Sequence, residues 1–251
     1  LSITNHLKQN SFIMSIKQLS ENGREAVTGN VNSGFSRRKF LGYMSMGSAI
    51  VIGASAISSC SDDDGPGGGS GVNLGSGDVG ILNYAYALEQ LEAAFYTKVM
   101  MSPYPGMSAT ETAFLTDIRD HEVAHRNFFK AAIAGAGATP LQDLEVDFSS
   151  VNFGSRDSVL ATAKTFEDLG VMAYNGAGKL ITNPAYLTIA GQIVSVEARH
   201  AALIADLISN GTFSNTTDAN GLDTAMTPAQ VLAAADPFIV TQINASNLPT
   251  S

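Results

Sequence analysis

Two copies of Glu-x-x-His, each set in a stretch whose apolar residues recur at helical spacing, constrain this chain more than any other feature. They are Glu122-Val123-Ala124-His125 and Glu197-Ala198-Arg199-His200. On a helix, residues three apart share a face, so each motif turns a carboxylate and an imidazole the same way. With 9 Glu and 4 His in 251 residues, chance supplies only roughly 0.14 such motifs. Both fall on apolar stripes rather than on polar faces.

The periodicity predicts four long helices. The first covers about 79–101, with Leu82, Ala85, Leu88, Leu91 or Glu92, Phe95 and Val99 aligned, and the Ser102-Pro103-Tyr104-Pro105-Gly106 run ends it. Ser108 and Glu111 form a capping-box signature for the second, about 109–134, whose stripe includes Leu115, Ile118, Glu122, His125, Phe129 and Ile133. Ser155 is the expected N-cap of the third, which continues to about Ile181. Asn183-Pro184, a cap followed by a first-turn proline, opens the fourth, which reaches Ser209. Thr227-Pro228 starts a short fifth helix through Ala235. Only a few residues join helices one to two and three to four, whereas about twenty separate two from three, enough to run the bundle's length. The expected fold is all-α: a four-helix bundle of two antiparallel hairpins joined by a long crossover, with a short C-terminal helix.

Each long helix carries a glutamate at a core position: Glu89 and Glu92 in the first, Glu122, Glu167 and Glu197 in the others. Burying ionised carboxylates costs several kcal/mol each without partners, and no matching set of inward Lys or Arg is present. Two divalent cations would balance four carboxylates, with imidazoles completing the coordination. Oxygen ligands with imidazole suit iron or manganese, and zinc less well. The expected ligands are Glu89, Glu122, His125, Glu167, Glu197 and His200, with Glu92 as an additional or alternative one. Glu89 precedes Tyr96 by seven residues, as Glu167 precedes Tyr174, so the hairpins read as copies in which Glu92 matches Gly170. Spacing to the histidine motifs instead pairs Glu92 with Glu167; the first register is preferred because loops vary more freely than helices. Tyr96 and Tyr174 read as core aromatics able to hydrogen-bond ligand carboxylates. His121 is expected on a different face from Glu122, in a surface or supporting role.

Leu88-Glu89-Gln90-Leu91-Glu92-Ala93-Ala94-Phe95-Tyr96, Phe166-Glu167-Asp168-Leu169-Gly170-Val171 and Glu197-Ala198-Arg199-His200 resemble the ferritin-like di-iron carboxylate superfamily. The nearest likeness is to bacterial ferritin-like domains related to plant desiccation-associated proteins, over residues 79–209. The resemblance implies bridging roles for Glu122 and Glu197 and a pair of Fe ions that act on oxygen or peroxide while Fe(II) is oxidised. Manganese catalases share a similar pattern, which makes Mn and peroxide disproportionation the enzymatic alternative. A cell-envelope stress or adhesion protein without turnover is the other alternative. Homo-oligomerisation is left open, and iron storage in a shell fits a tethered protein poorly.

Residues 1–60 differ in kind from the rest, with 6 basic and 2 acidic residues against 8 and 21 in 61–251. Ser36-Arg37-Arg38-Lys39-Phe40-Leu41 precedes an apolar, Gly/Ser-rich run that ends in Ile57-Ser58-Ser59-Cys60. The order of basic, apolar and small residues is that of a secretory signal. It resembles a twin-arginine signal with a lipoprotein cleavage box, which would make Cys60 a lipidated N-terminus of an exported periplasmic, outer-membrane or cell-surface protein. An uncleaved anchor is the alternative reading of the apolar run. Met14 is the first methionine, so residues 1–13 are read as upstream sequence. Residues 61–78, with Asp62-Asp63-Asp64 and many glycines, read as a flexible tether, and the acidic triplet resembles a surface-export tag. The bundle follows at 79–210 and an extension at 211–251. A net charge of −9 argues against nucleic acid as a partner, and a single Cys excludes an internal disulfide or Cys-rich metal site. A lipid at Cys60 is the only membrane attachment expected besides the anchor alternative. No nucleotide loop or nucleophile elbow appears.

Overall fold

The computed structural model describes residues 71–250; Cys60 and the expected signal lie outside the described residues. Four long helices dominate: α1 (Gly77–Met101), α2 (Ala109–Gly135), α3 (Arg156–Gly178) and α4 (Pro184–Ile208). A short α5 (Pro228–Ala235) and a single 3-10 turn (Asp236–Phe238) follow. α1 packs along α2 and α3 along α4, while α1 also touches α3 and α5 packs on α3. Two hairpins with a crossover make this a ferritin-like four-helix bundle with a short C-terminal helix. Among the described residues no helix is long and apolar enough to cross a membrane.

The starts of the helices follow their caps. Ser108 and Glu111 complete a capping box on α2, Ser155 accepts from the Ser158 amide, Asn183 accepts from the Ala185 amide, and Thr227 with Gln230 caps α5. Polar clasps hold the bundle's two ends. Asp78, in the first turn of α1, accepts from the amides of Thr182 and Asn183 at 2.8 Å each, fixing the α3–α4 turn. At the opposite end Arg156 donates to Glu111 at 2.6 Å and to the Leu207 carbonyl at 2.8 Å, joining the starts of α2 and α3 to the end of α4. Glu111, held by the Ser108 amide and Arg156, is pulled down to about 2.

α1 is buried on nearly every face, because the crossover covers the side its helical neighbours leave open. Asn83 accepts from the Leu141 amide and Gln90 from the Leu144 amide, so two buried polar side chains of α1 satisfy crossover backbone groups. Phe95 of α1 meets Phe148 and Phe153 of the crossover and Phe166 of α3, and Phe238 after α5 stands edge-on to Phe166 at 4.8 Å.

The fold begins earlier than the sequence suggests. Val72–Asn73 (β1) pairs in parallel with Ile243–Asn244 (β2), and Leu74 is fully buried. The expected tether over 61–78 is therefore corrected: from Val72 onward the chain belongs to the packed domain, because backbone pairing and the Leu74 anchor order it. The C-terminal extension, in which the sequence predicts only the short fifth helix, is strapped onto α3. The Met226 amide donates to the Met172 carbonyl at 3.0 Å, and a Cβ on Gly176 would stand 1.7 Å from the Met226 carbonyl oxygen. Only glycine permits that approach.

Candidate metal centre

All four long helices deliver a carboxylate to one point in the bundle. Glu89 and Glu92 come from α1, Glu122 from α2, Glu167 from α3 and Glu197 from α4, and none is more than 4% exposed. No lysine or arginine is buried among the described residues. The six residues expected as ligands form two overlapping groups whose donor atoms lie within 4.8 Å of one another: Glu89, Glu122, His125 and Glu197, then Glu122, Glu167, Glu197 and His200. Glu122 and Glu197 belong to both.

Both histidines present Nδ1. That of His125 lies 2.9 Å from Glu197, 3.4 Å from Glu89 and 3.5 Å from Glu122. That of His200 lies 2.8 Å from Glu122, 3.4 Å from Glu167 and 3.8 Å from Glu197. These approaches lack hydrogen-bond geometry. Buried without a hydrogen-bond partner are Glu89 Oε2, both oxygens of Glu122, Glu167 Oε2, both oxygens of Glu197, and Nδ1 of His125 and His200. So many convergent orphaned atoms are abnormal for a protein interior, and they sort by role. The two carboxylates shared between groups have both oxygens free. Glu89 and Glu167 have one free, because each other oxygen accepts a hydrogen bond from a tyrosine.

Those bonds cross between hairpins: Tyr96 of α1 donates to Glu167 of α3 at 2.5 Å, and Tyr174 of α3 donates to Glu89 of α1. The register pairing Glu89 with Glu167 thus describes the geometry, while Glu92 belongs to neither group of four. Its carboxylate lies over Gly170, its counterpart in α3: a Cβ there would stand 3.1 Å from Glu92 Oε1 and 3.6 Å from Glu197 Oε2.

The electrostatics are those of a cluster short of positive charge. Burial, joined by repulsion from Glu197, pushes Glu89 well above the ordinary carboxylate range, and burial with Glu122 nearby does the same to Glu92. Burial also raises Glu167, to about 8, with His200 offsetting part of the rise. Glu122 moves the other way, to about 2: burial opposes ionisation, but the imidazoles of His125 and His200 outweigh it. Burial disfavours the charged form of both imidazoles as well, yet the carboxylates around them push each up to about 12. Burial raises Tyr96 and Tyr174, and the neighbouring Glu167 and Glu89 raise them further, so the phenols stay protonated as donors.

His121, expected either at the surface or in support of a ligand, is brought against a ligand-type histidine while its flank stays exposed. It lies about 100° around the helix from Glu122, on the exposed flank of α2 facing α4. Its Nδ1 is 2.9 Å from His200 Nε2, and the two rings meet edge to edge, within 10° of parallel. The sequence signal was its place beside a ligand-type motif, but only the α2–α4 packing reveals the partner.

The donor set is of the kind that could hold a metal ion: oxygen-rich, imidazole-containing and anionic, with unshared electron pairs aimed inward. A search of curated proteins finds no match for the chain. Residues 77–210 match the family model described as a ferritin-like domain, which spans all four long helices and every residue of the site. The chain belongs to the ferritin-like domain family.

Proposed function

We propose that the six convergent side chains hold two metal ions, with Glu122 and Glu197 bridging and Glu89 with His125, and Glu167 with His200, completing one position each. The observation that carries this reading is the sorting of orphaned oxygens: two on each shared carboxylate, one on each unshared carboxylate. Iron is the proposed metal, with manganese as the alternative. When bound, such a pair supplies electron exchange with dioxygen or peroxide, and the proposed activity is Fe(II) oxidation with consumption of one of them. A manganese pair would instead favour peroxide disproportionation.

The protein's own residues set the conditions for that chemistry. Tyr96 and Tyr174 hold the unshared carboxylates in orientation and leave one oxygen of each available. Phe95, Phe166 and the crossover aromatics exclude water beside Tyr96 and Glu167. On the other side an apolar cleft of about 30 Å³ lies among Leu88, Phe129 and Tyr174, a size that favours a small oxidant over a bulky organic substrate.

The proposal extends to location. The Arg37-Arg38 signal and Cys60 support export as a lipid-anchored envelope protein, and the desiccation-associated branch is the proposed place within the family. A twin-arginine route carries folded proteins, which allows metal loading before export.

Elemental analysis of the protein purified from its natural compartment tests the reading. Two iron ions per chain is the expected result, and two manganese ions would select the catalase-like alternative. Absence of both, with unchanged stability in E122A and H200A, would favour a non-enzymatic envelope protein.

A further inference from the structure

We propose that His121 is a positioning residue that makes the two metal positions unequal, by fixing which nitrogen of His200 carries a proton. The inference rests on the two-metal reading of the site. Nδ1 of His200 faces Glu122, Glu167 and Glu197, so it is the ligating atom, and Nε2 lies 2.9 Å from Nδ1 of His121. One proton must lie between two ring nitrogens at that distance. If it sits on His200 Nε2, the Nδ1 lone pair is free for a metal. If it sits on His121 Nδ1, a neutral His200 carries its own proton on Nδ1, and coordination is blocked. The arrangement that binds metal therefore requires His121 to accept at Nδ1 and turn its own Nε2–H outward.

Nothing equivalent supports His125. Its Nδ1 faces Glu197, Glu89 and Glu122, but among the described residues no group accepts from its Nε2. Residues that orient a metal-bound imidazole typically change metal affinity about 10- to 100-fold. The position built from Glu122, Glu167, Glu197 and His200 is accordingly the tighter one, and an exposed imidazole connects it to solvent.

The test uses the full chain, anaerobic Fe2+ titration and nitrogen-15 NMR of the histidine rings. In H121L, which removes the acceptor, one of the two binding steps should weaken about 10- to 100-fold while the other stays within about threefold. H121N returns an acceptor oxygen near the position of Nδ1 and should restore most of the loss. Equal affinities in H121L and wild type would overturn the proposal, as would failure of H121N to rescue, since packing alone would then account for the loss. Protein loaded with diamagnetic Zn2+, in which His200 Nδ1 no longer carries a proton, provides an independent reading: the His200 Nε2 proton should be bonded to His121 Nδ1. A proton found on His121 Nδ1 overturns the inference whether or not iron binds. Absence of Fe2+ binding in the wild type overturns the two-metal reading and, with it, any inequality of positions, while the NMR result still decides the direction of the histidine bond.

Discussion

The two hairpins present matching ligands in unmatched surroundings. α1–α2 contributes Glu89, Glu122 and His125, and α3–α4 contributes Glu167, Glu197 and His200, with each tyrosine reaching across to the other hairpin's carboxylate. Around that frame the likeness fails. α1 carries Glu92 where α3 has Gly170, and His200 is backed by His121 while His125 is not. The crossover covers α1, whereas the C-terminal strap covers α3 against Gly176. A duplicated arrangement can thus preserve its ligands while chemical bias enters through the residues behind them.

The sharpest way to break the equivalence is to remove a shared ligand and compare it with an unshared one. E197Q should lose both metal ions at concentrations that saturate the wild type, a larger effect than the roughly 10- to 100-fold cost of an outer partner. E167Q should retain one ion, and stoichiometry by elemental analysis distinguishes the two. Next in size are the tyrosines. Y96F should weaken the position containing Glu167, on the other hairpin, about 10- to 100-fold, and Y174F the position containing Glu89. A calorimetric metal titration in which each variant weakens its own hairpin's position would break the crossed pairing.

Protons and metal ions compete for this cluster. In the folded metal-free protein Glu167 keeps its proton up to about 8 against 4.5 ordinarily, and the two histidines keep theirs up to about 12 against 6.5. The folded state binds more protons than the unfolded chain over those windows, so its stability falls as pH rises through them. Glu122 acts oppositely, and its contribution is lost as pH falls from 4.5 toward about 2. Between pH 5 and 9 the Tm of the metal-free protein should drop by about 5 °C or more, while the metal-loaded protein changes less. Thermal unfolding with and without a chelator measures this, and parallel pH profiles would contradict the competition.

The smallest expected effect concerns Glu92. A helix-interior Gly→Ala change normally stabilises by roughly 0.5–1 kcal/mol, but a Cβ at Gly170 would press on the Glu92 carboxylate. G170A should therefore gain little alone and recover that increment in an E92A background, a coupling that a double-mutant cycle in denaturant reads directly. Equal gains in both backgrounds would mean that Glu92 does not occupy the space Gly170 leaves.

Much of this architecture is local and so can be read along the chain. Ser108, Ser155, Asn183 and Thr227 act within three residues of the groups they cap, and the Glu-x-x-His pairs need only helical periodicity. Connection length alone separates two hairpins with a crossover from a simple up-and-down bundle. What escaped was set by packing between distant segments. Seven residues separate Glu89 from Tyr96, but the tyrosine serves Glu167. His121 sits on the flank of its helix, and nothing in its neighbourhood specifies that α4 brings His200 beside it. Val72, Asn73 and Leu74 are too few to show strand alternation, and the strap after α4 is held by backbone groups, whose bonding leaves little trace in side-chain pattern.

The parallel pairing of Val72–Asn73 with Ile243–Asn244 brings the two margins of the domain side by side. Chain order and spatial order are therefore separable here. A circular permutant that links those margins and opens the chain at the exposed Pro105–Gly106 step would begin with α2 and finish with α1, with the same four helices around the same carboxylates. The centre depends on which faces meet, not on which helix is made first.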